Sequence, residues 1–252
     1  MKTLPLLLLL ITNFTLADDK LPEENLRPSA PQGLVYGAGI SYQQQIYKGF
    51  DQRTIAIPLF GYVGEKFNIF GPFVSYSLLR NDNWNVDLNL SPRFNGYDEE
   101  DSGFFIGMQD RKDSLDAGFT LKYNSNTWTY QFKALTDVLS KSKGTDVEFN
   151  LAKKFKAKYL TIEPAISINH LNKNLADYYY GVKQGEATLA RSFYEASSTI
   201  NRSFKLSFSH PIPIGLIRLD LNNTWFGSGI YNSPLVDKEQ AFGARLFFIG
   251  FF

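Results

Sequence analysis

From position 34 onward, apolar side chains return at every second residue, in one segment after another to the end of the chain. Successive strand side chains point to opposite faces, so each segment has one apolar and one polar face. The clearest is 84–94, where Trp84, Val86, Leu88, Leu90, Pro92 and Phe94 alternate with Asn85, Asp87, Asn89, Ser91 and Arg93. The last, 241–252, sets Phe242, Ala244, Leu246, Phe248, Gly250 and Phe252 against Gly243, Arg245, Phe247, Ile249 and Phe251. So apolar a strand, left as a free edge, invites aggregation. A barrel has no such edge, because its last strand pairs with its first. Phe248 and Phe252 are read as the closing-strand signal of an outer-membrane barrel, with Arg245 directed into the lumen.

Alternation alone does not tell a membrane barrel from a periplasmic sandwich or a lipocalin-like barrel, which bury the apolar face inside. Two features favour the membrane. The polar faces carry Asn, Asp, Thr, Ser and Lys broken by glycines, as a hydrated lumen would, and Tyr62, Trp84, Tyr123, Trp128 and Trp225 sit near strand ends. Aromatic residues make up 15% of the chain while mean hydropathy is only −0.21. Helical membrane proteins do not combine those values; barrels do, since only alternate residues meet lipid. The one long apolar run is N-terminal: Lys2, an apolar core from Leu4 to Ile11, and small residues ending at Ala17 form a cleavable signal peptide over 1–17. A proline-bearing polar leader over 18–32 follows, and 33–252 is the barrel. With 26 basic and 25 acidic residues, one of them on the signal peptide, the chain lacks the basic excess of a nucleic-acid binder. It has no cysteine, which removes disulfides and thiolate chemistry.

Eleven segments are legible: 34–42, 53–62, 67–76, 84–94, 115–123, 127–138, 146–155, 159–170, 203–209, 214–226 and 241–252. A single-chain bacterial barrel has an even number of strands. The short apolar piece Gly103 to Met108 is the candidate for the missing one, giving an all-β, antiparallel barrel of about twelve strands; ten would follow if two weak segments were loop. The longest loops, after Leu171 and after Phe226, then fall on the external side.

The run from Gly107 to Gly118, containing Gln109-Asp110-Arg111-Lys112-Asp113, resembles the signature stretch of the MipA/OmpV family of outer-membrane proteins. Tyr36-Gly37-Ala38-Gly39, Tyr47-Lys48-Gly49-Phe50-Asp51, Pro58, Tyr178-Tyr179-Tyr180-Gly181-Val182 and Ser233-Pro234-Leu235-Val236 agree in order. The resemblance implies an outer-membrane barrel of a Gram-negative bacterium without enzymatic activity or cofactor. It also implies a scaffold linking a murein lytic transglycosylase with a murein synthase, with a narrow porin or a surface adhesin as alternatives. Outer-membrane lipid and lipopolysaccharide are the surroundings expected. Gly250 departs from the family, which has a bulkier apolar residue there.

Among candidate sites, Asp110, Arg111 and Asp113 read as a charged turn in which Arg111 pairs with a nearby carboxylate, or as a partner contact. Tyr178, Tyr179 and Tyr180 read equally as an exposed carbohydrate or protein contact and as an aromatic plug packing the loop over or into the barrel mouth. Asp98 to Asp101 lacks the spacing of a calcium loop and reads as solvated. Lys153, Lys154, Lys156 and Lys158 sit where cations snorkel to headgroups. His170 and His210 are the only histidines, and Ser167 and His170 would face opposite sides of a strand, so no catalytic pair forms.

Overall fold

The computed structural model describes residues 32–251; the signal segment, nearly all of the leader and Phe252 lie outside them. The strands are β1 Gly33–Gln44, β2 Gln52–Val63, β3 Phe67–Phe70, β4 Phe73–Arg80, β5 Trp84–Arg93, β6 Ser114–Ser125, β7 Trp128–Asp137, β8 Thr145–Lys153, β9 Phe155–Lys156, β10 Thr161–Leu171, β11 Thr199–Ile212, β12 Gly215–Trp225 and β13 Gln240–Phe251. β8 and β9 are two pieces of one strand broken at Lys154, since both pair with β10. Each strand is antiparallel to its neighbours, and β13 pairs with β1 from Val35↔Phe251 to Gln43↔Gly243. The result is a closed ring of twelve strands.

The twelfth strand is not Gly103 to Met108. That piece is a 3-10 turn, Gly103–Phe105, capped by Ser102 and buried at Phe105. The even count comes instead from 67–76, which splits into β3 and β4 around Gly71-Pro72. Gly71 takes φ +54°, which a residue with a side chain rarely adopts, and Pro72 cannot extend the ladder.

Loop length separates the two ends of the barrel. Turns 64–66, 81–83, 126–127, 157–160 and 213–214 lie at the end where β1 begins and β13 finishes; 45–51, 94–113, 138–144, 172–198 and 226–239 lie at the other. Short turns belong to the periplasmic side and long loops to the external side.

Arg93 fixes which face is the lumen. On β5 it reaches Asp116 on β6 at 2.5 Å and Asp146 on β8 at 3.1 Å, and a contact that skips β7 can only cross the interior. Following the pairing from Asp146 around the ring puts Ser207, Asp220 and Arg245 on that same face, with Arg245 opposite Asp220 and Ser41. Arg245 therefore faces the lumen, and Phe242, Leu246 and Phe248 face outward. An arginine turned to lipid would cost about 2–4 kcal/mol at the midplane. Outward residues such as Leu34, Ile40, Phe60, Leu88, Ile166, Ile168 and Phe149 form the exposed apolar band.

The seam between β1 and β13 depends on small residues. A Cβ on Gly37 would run into the backbone carbonyl of Phe248, and one on Gly250 would meet the Tyr36 ring at 2.5 Å. Gly250 thus makes room for the tyrosine opposite it, an aromatic ring covering a strand glycine. Gly37→Val should cost about 1–3 kcal/mol by overpacking against backbone, read as a lower urea midpoint for the heat-modifiable, folded band on gels.

Candidate functional site

Among the described residues, a buried apolar cluster lies not in the barrel but above it. Ile46, Tyr47, Tyr97, Phe105, Leu175, Tyr179, Tyr180, Val182, Ile230 and Leu235 are buried together, and they come from loops 45–51, 94–113, 172–198 and 226–239. Those loops rise from strands all around the ring, so they meet only by converging over the mouth.

Helix α1, Lys173–Tyr180, is the centre of this cap. The Asn172 side chain starts it by accepting from the Leu175 N–H, and it also accepts from the Thr145 N–H, both at 3.0 Å. At the far end, the Tyr179 carbonyl accepts hydrogen bonds from the Tyr47 hydroxyl at 3.3 Å and the Tyr97 hydroxyl at 3.2 Å. The Tyr180 carbonyl accepts from the Ser233 hydroxyl at 2.6 Å. Tyr47 stacks on Tyr180 and meets Phe105 edge-on, both at 5.5 Å, while Tyr97 stacks on Phe105 at 4.4 Å. Burial raises the phenols of Tyr47, Tyr97 and Tyr179, and pushes Tyr180 up to about 12 although Tyr47 and Arg93 pull it down. The Tyr47, Tyr97 and Tyr179 hydroxyls stay neutral donors.

Arg111 is 3% exposed and forms a two-pronged ion pair with Glu186, at 3.0 and 2.8 Å. The fork matches the carboxylate geometry. Its backbone exchanges two 2.8 Å hydrogen bonds with Tyr97, tying together the two ends of loop 94–113. Buried Arg191 adds hydrogen bonds to the carbonyls of Phe104, Ile106 and Glu186. Burial would raise the Glu186 carboxyl, but Arg111 and the N–H groups of Lys183 and Gln109 hold it down at about 2.

The candidate residues of the sequence therefore converge. Arg111 joins a carboxylate distant in sequence rather than a neighbour; Asp110 pairs with exposed Lys112 at 2.6 Å; Asp113 accepts the Gly96 N–H at 2.8 Å. The Lys112 N–H donates to the Tyr178 hydroxyl at 2.9 Å, and the Tyr179 hydroxyl donates to the Lys112 carbonyl at 3.3 Å. Tyr179 and Tyr180 are buried in the cap. Tyr178 is half-buried and lines an external cleft of about 460 Å³ with Lys143, Asp177, Lys183 and Tyr194. Glu186 and Arg191 escaped the sequence reading, since nothing local marks either as a partner for loop 94–113.

The other candidates are scattered. The acidic run folds on itself, with Asp98 accepting from the Glu100 N–H and Asp101 from the Asp98 N–H. Lys153 lies over Trp128 at 5.0 Å and Lys158 over Tyr159 at 5.0 Å, at the periplasmic rim. Lys154 turns inward to Glu163 at 3.8 Å. Ser167 points into the lumen and His170 outward, by the same alternation.

A family profile described as MltA-interacting protein MipA matches residues 36–249, nearly the whole barrel. The chain belongs to this family. It is 26% identical to the outer membrane protein YiaT of Escherichia coli K12, over 83% of this chain and 87% of that one. It is 28% identical to the outer membrane protein OmpV of Vibrio cholerae, over 77% of each. It is 25% identical to the MltA-interacting protein of Escherichia coli K12, over 81% and 84%. This MipA-family barrel is an outer-membrane protein of a Gram-negative bacterium.

The cap should loosen with acid. A carboxylate held below its ordinary value of about 4.3 contributes stability that is complete above that value and is lost as pH falls through the folded one. For Glu186 the loss falls between about pH 4.3 and about 2. At neutral pH Arg111→Ala should have the same effect, because an unpaired buried carboxylate costs about 3–5 kcal/mol. Hydrogen exchange should rise in 94–113 and 172–198 while heat-modifiable migration persists.

Proposed function

We propose that this protein is a non-enzymatic scaffold of the outer membrane, holding murein hydrolase and synthase machinery against its periplasmic rim. The observation that carries this reading is the cap. An apolar core and a buried ion pair gather four external loops over the mouth, which supports a role other than that of an open general porin. What it offers instead is an anchored ring whose periplasmic rim carries charged and amide groups, among them Glu65, Lys66, Asp82, Lys156 and Lys158. The relative named MltA-interacting protein supplies the class of partner.

In planar bilayers the full chain should give no stable conductance steps. Pull-down from detergent-solubilised envelopes should recover a murein lytic transglycosylase or a murein synthase. Stable conductance together with no murein enzyme in repeated pull-downs would replace the scaffold with a narrow channel.

A further inference from the structure

The barrel wall has a low point. β2 pairs with β1 along its whole length, but with β3 only at Gly61, Tyr62 and Val63, because β3 and β4 turn back at Gly71-Pro72. The Gly71 N–H closes the corner on the Phe60 carbonyl at 2.9 Å. Above it, β2 from 52 to 60 has no strand on its second side among the described residues. β5 is likewise unpaired on that side beyond Leu90, its last partner being Val74. The next bridge is at the top, where the Arg53 guanidinium donates to the carbonyls of Phe94 at 3.2 Å and Gly96 at 2.9 Å. Neighbouring strands lie about 4.8 Å apart, so β2 and β5 stand about 14 Å apart at the hairpin.

Two prolines sit on these facing edges. The Phe60 carbonyl points into the gap, and in a strand the backbone groups of alternate residues point the same way, so Thr54, Ala56 and Pro58 point there too. On the other side, the Leu115 carbonyl accepts from Val138, away from β5, so Pro92 opposite Leu115 turns its own backbone to the gap. Each proline lacks an N–H where a neighbouring strand would need one. Pro58 and Pro92 thus disfavour the other use of a free edge, pairing with a strand from a second copy.

The opening lies within the lipid-facing band. Thr54 is level with Tyr42 and Phe60 with Tyr36 on β1. Ile55, Ile57 and Leu59 line it from inside, and Phe73 and Phe94 stand at its rim with rings 6.5 Å apart. Ile55 is 42% exposed although it is on the inward face. Open strand edges are not tolerated against hydrocarbon unless they line a hydrated cavity, so the unpaired carbonyls of Thr54, Ala56 and Pro58 need water or a donor from a guest.

We propose that this gap is a lateral window through which small uncharged molecules with an apolar body and a hydroxyl donor pass between the outer leaflet and the lumen. Most side chains around it are apolar, while Thr54, Ser91, Arg93 and, at the top, Arg53 are the polar ones, and the free carbonyls supply acceptors. The cap packs loops over the axial mouth, and the low wall offers a way in from the external side that does not cross it. This goes beyond the scaffold reading and does not depend on it.

The chain has no cysteine, so single thiols report cleanly. A bimane label on Ile57→Cys in the full-length barrel, in bilayers of lipid brominated at mid-chain, should be quenched several-fold more than one on Asn150→Cys, inside the opposite wall. It should approach the quenching seen at lipid-facing Ile168→Cys. Quenching at 57 no greater than at 150 overturns the window; Leu59→Cys gives the same reading if Ile57→Cys does not yield a heat-modifiable barrel. Added 2-naphthol should relieve quenching at 57 saturably. A linear response, equal at 57 and 168, would mean bulk partitioning and overturns the assignment of ligand.

Discussion

The constraint behind this structure is that a backbone crossing hydrocarbon must satisfy its own hydrogen bonds. A sheet meets that condition by closing, and closure fixes much else here. It requires an even strand count, sets both ends of the described chain on one side, and forces β13 onto β1. Close approach at that seam explains why Gly37 and Gly250 are glycines. Closure also sorts charge: Arg93, Asp116, Asp146, Asp220 and Arg245 all fall on the inner face, where water and counter-charges are available.

Because the barrel spends its apolar side chains on lipid, its compact apolar core forms where water must be excluded by protein alone, in the external loops. The cap resembles a small globular domain assembled from segments far apart in sequence. Aromatic rings supply its area, hydroxyl-to-carbonyl bonds orient the rings, and the Arg111–Glu186 pair ties the β5–β6 loop to the β10–β11 loop. A buried pair of this kind is weak evidence for net stability, but losing one partner is costly, so it makes the loop arrangement specific.

How well the sequence foretold each part follows from the range of the forces involved. Strand alternation is local, so 84–94 and 115–123 were legible to within a residue or two, as was the inward direction of Arg245. The β3–β4 hairpin was missed because 67–76 reads as one apolar run, and the only local mark of its break is Gly71-Pro72. The piece at 103–108 failed for the opposite reason. Its apolar residues are there to fill the cap, and Phe105 is buried against Tyr47 and Tyr97 rather than against lipid. Arg111 invited a partner among its neighbours, whereas the carboxylate it takes lies in another loop.

By itself, the sequence determined the class of the protein: alternating apolar faces, aromatic strand ends and a neutral, cysteine-free composition leave an outer-membrane barrel, and the joint order of its motifs places it in its family. Only the tertiary structure decided where the wall is low, which loops close the mouth, and which carboxylate neutralises Arg111. The physical reason is that a two-residue period is written in neighbouring side chains. Loop packing and strand height are settled between residues that meet only once the ring has closed.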